Sequence, residues 1–284
     1  MYTPDRMQFS LLLATVGRTD DLARFFRSLC EQTHKNFQVI VIDQNEDNRV
    51  SEVLSKFEGQ FSVLRLRSAR GLSRARNLGL AYATGDVIAF PDDDCWYQPN
   101  VLEKVARILT ETPTLGGITG SATAGTWSPL PGPITRFNAW RRGISFSMFL
   151  RRAAVGPLLF DEALGLGAGT PWGSGEETDF LLRMLETGAS LEYRPEVQVN
   201  HPQWDYRAVA RSKQRSYGRG MGRLLRKHKF PLPLVGYHIV RPLAASVLGF
   251  FSGGVDKAAY HYECCVGRIE GWAGIGCSPE SALL

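Results

Sequence analysis

The chain has 284 residues, 44% hydrophobic and 21% charged, which fits a globular protein with a sizeable core. Its net charge of +5 excludes a chain whose whole surface is built to hold nucleic acid. The charge is uneven, however: Arg207 to Lys229 carries nine Lys/Arg and no Asp or Glu, which suits phosphates, an anionic membrane surface or a solvated helix face.

The elements follow in chain order. Phe9–Thr15 reads as a buried strand. Asp20 or Asp21 can cap a helix whose apolar face is Leu22, Phe25, Phe26 and Leu29. Phe37–Asp43 is a second buried strand ending in an acid, and Phe61–Arg67 a third strand. Gly71–Ala83 is helical, with Ser73 as a cap and Gly85 after its end. Asp86–Phe90 is a fourth strand, with Asp92, Asp93 and Asp94 just past its carboxyl end. Asn100–Thr110 is a further helix.

Short apolar strands alternating with helices imply an open, mostly parallel twisted sheet flanked by helices, Rossmann-like. Such sheets bind ligands beyond the carboxyl ends of their strands. That rule brings Thr15–Arg18, Asp43 and Asp92–Asp94 to one crevice.

Beyond residue 110 the alternation weakens. Thr126–Pro133 is a proline-rich loop and marks a boundary. Gly165–Gly188 is a glycine-rich loop opening a helix, with Glu176, Glu177 and Asp179 in its first turn. Two short strands, "SLEYRP" and "VQVNH", end at His201. A basic helical segment from about Trp204 to Lys229 is expected to break near Gly218, Gly220 and Gly222. Leu232–Phe251 has the length of a membrane span, but Pro233, His238, Arg241 and Pro242 interrupt it. It reads as membrane-touching or buried.

The five cysteines (Cys30, Cys95, Cys264, Cys265, Cys277) form no CxxC pair and no metal-ligand spacing. No N-terminal signal peptide is visible, so a reduced, cytoplasmic compartment is expected.

Several motifs are absent. Tyr97 stands where an EF-hand loop from Asp92 needs glycine, and Trp96 takes a ligand position. There is no GxGxxG, no P-loop and no GxSxG elbow. What remains is D-x-D at Asp92 and Asp94, whose oxygen ligands suit Mg²⁺ or Mn²⁺ when phosphates complete the shell. A solvated acidic turn is the plain alternative. A carboxylate of Gly175–Asp179 can serve as general base, or it is ordinary helix N-terminal acidity. His201 is a metal-ligand or a structural histidine. Arg74 and Arg76 can neutralise phosphates. Trp172 can stack on a sugar ring or belong to the core.

Taken in order, these pieces resemble the family-2 inverting glycosyltransferases of the GT-A fold over residues 8–229. The matching stretches are "ATVGRTDDLARFFRSLCEQTHKNFQVIVID", "GLSRARNLGLAYATGDVIAFPDDDCW", "FDEALG…GSGEETDFLLRMLETG" and "YRPEVQVNHP". The resemblance implies a donor half at 1–125 and an acceptor and catalytic-base half at 126–229 of one domain; the apolar run after it makes 230–284 a helical C-terminal extension that associates with a membrane or packs.

It also implies roles. Asp43 would bind the nucleotide base beside Thr15, Val16 and Arg18, and Arg76 would lie near the diphosphate. Asp92 would contact ribose or a metal-bound water, with Asp93 beside it at the donor. Asp94 would hold Mg²⁺ or Mn²⁺, helped by Asp92 and His201. Glu177 stands where the family commonly has Asp as catalytic base, with Glu176 the competing candidate. Trp172, Gly173 and Asp179 would face the acceptor.

The implied activity is transfer of one sugar, in cell-surface polysaccharide synthesis, from a nucleoside-diphosphate sugar (UDP-sugar as the commonest) to a glycan or lipid-linked acceptor. The Q-x-x-R-W of processive synthases is absent, which favours single addition. The expected partners are donor, acceptor and an anionic membrane at Arg207–Lys229 and the extension, with no nucleic acid. The expected location is cytoplasmic or peripheral on the inner face of the membrane. Two rivals stand beside this reading: a sugar-1-phosphate nucleotidyltransferase, and a non-catalytic nucleotide-sugar or carbohydrate-binding module with the same fold.

Overall fold

The computed structural model describes residues 4–125, 127–203 and 209–275. Thr126, the start of the Arg207–Lys229 segment and Cys277 lie outside the described residues. In chain order the elements are β1 (Phe9–Thr15), α1 (Asp20–Cys30), β2 (Phe37–Asp43), α2 (Arg49–Leu54), β3 (Ser62–Arg67) and α3 (Leu72–Leu80). There follow β4 (Val87–Ala89), β5 (Trp96–Tyr97), α4 (Val101–Glu111), β6 (Gly117–Ala122), β7 (Gly132–Pro133), α5 (Ala139–Arg142) and β8 (Met148–Arg151). The chain continues through α6 (Arg152–Val155), α7 (Glu176–Glu186), β9 (Leu191–Asn200), α8 (Arg211–Lys227) and α9 (Leu232–Ala273). They form two compact units: one of residues 1–70, 74–160 and 180–203, the other of 71–73, 161–179 and 204–284.

The first unit holds the sheet, in the order β3-β2-β1-β4-β8-β6-β9-β5, with β7 pairing β9. Strands β1 to β4 pair in parallel, as the alternation predicts. Beyond them β8 runs antiparallel to both β4 and β6, and parallel pairing resumes between β6 and β9. Strand β1 is buried on both faces, which is why it reads as a continuous apolar run. Leu22, Phe25, Phe26 and Leu29 of α1 are fully buried, one side of a helix at 3.6-residue spacing.

Several local expectations are corrected. Neither Asp20 nor Asp21 caps α1: the cap position is Thr19, without a side-chain cap bond, and Asp21 bonds Arg24 instead. Ser73 is not a cap either, since its hydroxyl donates to the Leu164 carbonyl. The two short strands before His201 are one ten-residue strand, β9, whose pairing with β6 slips between Thr119 and Ser121. The proline-rich loop marks no boundary among the described residues, because β7 at its end pairs with β9 within the sheet and 74–160 lie in one unit.

In the second unit α8 runs unbroken through Gly218, Gly220 and Gly222. A Cβ at Gly218 would collide with the Cys264 carbonyl, and one at Gly222 with that of Arg268. Facing them, Gly267 and Gly271 of α9 meet the carbonyls of Arg215 and Arg219. The glycines are therefore contact points between two helix backbones and not breaks. Arg215 and Arg219 close the same seam through Glu270, with Nε–O distances of 2.9 and 2.8 Å.

Helix α9 bends back on itself at Gly254, whose φ of 76° only glycine adopts readily. Ser246 Oγ donates to Ala258 O at 2.8 Å, and Cys265 Sγ reaches Ile239 O at 3.4 Å, so the two arms run antiparallel. Pro242 within the first arm has no N–H for the His238 carbonyl one turn back, and Arg268 of the second arm donates to that carbonyl.

Candidate functional site

The three consecutive aspartates lie where β4 ends, held to β1 by a bridge between Ala14 and Asp92. Their mutual repulsion is offset one residue at a time. Arg76, almost fully buried, sets NH2 3.3 Å from Asp92 and lies over the Phe160 ring. Phe160 stacks on Phe180 at 4.2 Å, so the guanidinium rests on a packed aromatic floor. Thr15 Oγ1 donates to Asp93 at 2.7 Å, and Arg18 bridges Asp93 at 3.1 Å and Asp94 at 2.7 Å. His201 Nε2 lies 3.3 Å from Asp94.

These neighbours set the protonation of each acid. Burial pushes Asp93 up to about 6, although Arg18 and Thr15 oppose it. Burial also works to raise Asp94, but the His201 hydrogen bond and Arg18 outweigh it and hold the carboxylate below its ordinary value. Burial works to lower His201, and the hydrogen bonds to Asp94 and Pro202 more than reverse it, so the imidazole lies above its ordinary value.

Oxygens of Asp92 and Asp94 and a ring nitrogen of His201 all lie within 4.8 Å of one another. Two carboxylates and one imidazole suit Mn²⁺ or Mg²⁺ with phosphate oxygens completing the shell. The ring is oriented for this. His201 Nδ1 is 2.8 Å from the Pro202 carbonyl, which can only accept, so Nδ1 carries the proton and Nε2 faces the carboxylates. Phe146 stacks on the ring at 4.7 Å and holds its plane.

Asp43, at the end of β2, is fully buried. Asn45 donates to it from backbone and side chain at 2.9 and 2.8 Å, and Arg65 at 2.6 Å. Asn45 in turn accepts from Gly17 N at 2.6 Å, which ties the Thr15–Arg18 loop to the end of β2. Val16 in that loop is exposed.

The second unit carries the other acids. Gly165, Gly167, Gly169 and Gly175 all have φ between 74° and 98°, a left-handed path open to glycine. That path leads into α7, where Glu176 is buried, Glu177 half-buried and Asp179 fully buried. Helix α8 backs the loop: Gly173 N donates to Ser216 O at 3.2 Å and Ser174 Oγ to Tyr217 O at 2.8 Å. Asp179 is held by Lys227 at 2.7 Å and His228 at 2.8 Å, and Lys227 also reaches Asp161 at 2.6 Å.

Two expectations change here. Trp172 is 2% exposed and the Arg223 guanidinium lies 4.5 Å over its ring, so its face is already covered and is not open to a sugar. Half of the described cations of the basic stripe are engaged inside the unit, Arg215 and Arg219 on Glu270, Arg223 on Trp172 and Lys227 on Asp161 and Asp179, while Arg211, Lys213, Arg226 and Lys229 are exposed.

Sequence reasoning did not find Asn45, Arg65, Arg67, Phe146, Lys227 or His228. Arg65 and Arg67 stand two apart, on one face of the strand beside the one ending in Asp43, and both pair with that acid. That spacing is the signal that was available. Phe146 and Lys227 carry none, because they meet their partners only through tertiary packing.

The family described as "Glycosyl transferase family 2" matches residues 10–152. The chain belongs to glycosyltransferase family 2. An "uncharacterized glycosyltransferase" of Haemophilus influenzae is 29% identical over 109 residues, 38% of this chain and 37% of that protein. The Escherichia coli UDP-Glc:alpha-D-GlcNAc-diphosphoundecaprenol beta-1,3-glucosyltransferase WfgD is 30% identical over 102 residues, 35% of this chain and 40% of WfgD. The matches thus span less than half the length of these relatives. Among solved structures, the mannosyltransferase PcManGT from Pyrobaculum calidifontis, in complex with GDP-Man and Mn²⁺, superposes with a TM-score of 0.65. It shares 11% identity, over 94% of this chain and 87% of that one, which establishes the shared GT-A fold.

Proposed function

We propose that this protein is an inverting glycosyltransferase that moves one sugar from a nucleoside-diphosphate sugar to a hydroxyl of a glycan or lipid-linked acceptor. The observation that carries the reading is the convergence of Asp92, Asp94 and His201 at the end of β4 in a family-2 domain. UDP-sugar is the favoured donor, in line with the donor in WfgD's name, and the diphosphoundecaprenol in that name favours a lipid-linked acceptor. Such an acceptor belongs to cell-surface polysaccharide synthesis at the inner face of a membrane.

Asp94, Asp92 and His201 would hold Mn²⁺ or Mg²⁺. When bound, the ion supplies positive charge to the diphosphate of the leaving group. Arg76 orients Asp92, and Arg18 with Thr15 fixes Asp93 and Asp94, so the carboxylates need no rearrangement when donor arrives. Glu177 takes the proton of the acceptor hydroxyl. The acceptor oxygen bonds to the anomeric carbon as the bond from that carbon to the diphosphate oxygen breaks. One displacement inverts the centre. Glu176 is the weaker candidate for base, because it is buried against Gly165.

The test is incubation with a panel of nucleotide sugars and a lipid extract as acceptor source, with the product anomer read by NMR. One donor giving a product of inverted configuration supports the reading. Donor binding without release of nucleoside diphosphate would make the protein a binding module instead.

A further inference from the structure

The first arm of α9 is an apolar helix with an exposed face. Leu232–Ser252 has a mean hydropathy of 1.4, and only 22% of its most apolar window is buried. Val240, Leu243, Val247, Leu248, Phe250 and Phe251 are all between 45% and 82% exposed. Their spacing of three and four residues puts most of them along one side of the helix. Arg241 is the one Lys, Arg, Asp or Glu in this arm, and it is exposed within the same stretch.

Beside Arg241 the two arms enclose a cavity of about 190 Å³, lined by Arg241, Pro242, Tyr260, His261, Cys264 and Arg268. No carboxylate lines it. Arg268 spends one NH on the His238 carbonyl, and its Nε is buried without a hydrogen-bond partner among the described residues. Burial holds its guanidinium below the ordinary arginine value, and the Arg241 charge adds to this. Two guanidiniums and an imidazole thus share one small cavity, next to an apolar face, and that combination lacks an anion.

We infer that the first arm of α9 lies in the interfacial layer of an anionic phospholipid membrane, with the cavity between the arms taking a headgroup phosphate on Arg241 and Arg268. Guanidinium pairs phosphate in a bidentate fork, and a helix lying in the membrane plane sinks its apolar side about 5–10 Å. Arg241 then sits at headgroup level while Val247, Leu248 and Phe251 reach the acyl chains. The inference deepens the proposed lipid-linked acceptor by naming the surface on which the protein would meet it. It adds to the basic α8, three of whose cations are paired with carboxylates, a surface on the hairpin.

The test is vesicle flotation of the whole protein without donor, so it stands or falls apart from the transferase reading. Vesicles of phosphatidylcholine are compared with vesicles containing phosphatidylglycerol. The wild type is expected to float with the anionic vesicles. Arg241→Gln should weaken that binding about fivefold. Val247→Ser with Phe251→Ser should weaken it more than tenfold on either vesicle. Both variants change exposed positions, and unaltered thermal melting checks the fold. Failure of the wild type to float, or equal flotation of Arg241→Gln, overturns the inference. So does stabilisation by inorganic phosphate without flotation, which would make the cavity a free-phosphate site. A dimer in sedimentation that Val247→Ser with Phe251→Ser dissociates would assign the apolar face to a second copy of the chain.

Discussion

His201 Nε2 stands 3.3 Å from Asp94 Oδ1, and the ring is fixed there by the Pro202 carbonyl behind it and the Phe146 ring beneath it. This pairing joins the end of β9 to the turn after β4, two segments more than a hundred residues apart in the chain. A histidine so constrained keeps Nε2 beside the two carboxylates, where it would join them on a shared cation at little further entropic cost. His201→Ala is therefore expected to raise the Mn²⁺ concentration needed for half-maximal activity by at least about tenfold, with activity partly recovered at saturating metal. Titration of nucleoside-diphosphate release against Mn²⁺ measures this. An unchanged metal requirement would show that His201 is not a ligand.

Lys227 and His228 hold Asp179 in the first turn of α7, two residues from Glu177. Asp179 is fully buried, so its removal takes a buried acceptor from both Lys227, which keeps Asp161, and His228. Asp179→Ala should cost about 3–5 kcal/mol in denaturant unfolding. Lys227→Met leaves His228 on the acid and should cost less, about 1–2 kcal/mol. A fall of kcat in Lys227→Met with KM for donor unchanged would show that α8 positions the first turn of α7, where the proposed base Glu177 lies, as well as stabilising it.

The glycines of the second unit divide into two kinds. At Gly220 a Cβ would collide with the Ser174 carbonyl, in the loop that leads to Glu177, whereas at Gly236 nothing lies within 4 Å. Gly220→Ala is expected to displace that loop and lower activity at least about tenfold, with the helical circular-dichroism signal kept. Gly236→Ala should stabilise by about 0.5–1 kcal/mol, because alanine loses less backbone freedom in a helix. Equal effects at both positions would contradict the packing described.

Glu270 ties α8 to α9 through Arg215 and Arg219, and the Arg215 hydrogen bond, foremost, holds it below the ordinary glutamate value. A depressed folded-state value means that the stabilisation is present above the unfolded value, about 4.3, and is lost as pH falls through the folded one. The melting-temperature gap between wild type and Glu270→Gln should be constant from pH 7 to about 5 and close on further acidification. A gap that widens toward low pH would exclude the ion pair as its cause.

Much of the first unit was legible in the sequence because β1 and β2 are buried almost throughout and α1 on one side. β1, β2 and α1 show those two periods directly, and the sheet rule then places Thr15, Arg18 and Asp92–Asp94 together. The antiparallel β8 was not legible, since Met148–Arg151 is four residues long with no periodic neighbour. The α8 glycines misled for a physical reason. Glycine lowers helix propensity, but a close helix–helix seam recovers that loss through packing, and the seam partner lies some fifty residues further on. Trp172 misled similarly: an aromatic in a glycine-rich loop reads as a sugar platform until Arg223 is found on its face.

The central claim is the proposed metal-assisted transfer, in which Asp94 would hold the ion and Glu177 would be the base, and the most direct measurement is nucleoside-diphosphate release from the preferred donor. It compares wild type, Asp94→Asn and Glu177→Gln, with Mn²⁺ and with chelator. The account predicts metal-dependent release by the wild type that falls at least about a hundredfold in each variant, with Glu177→Gln still binding donor and metal. Release that persists in chelator, or that Asp94→Asn and Glu177→Gln leave intact, would contradict it.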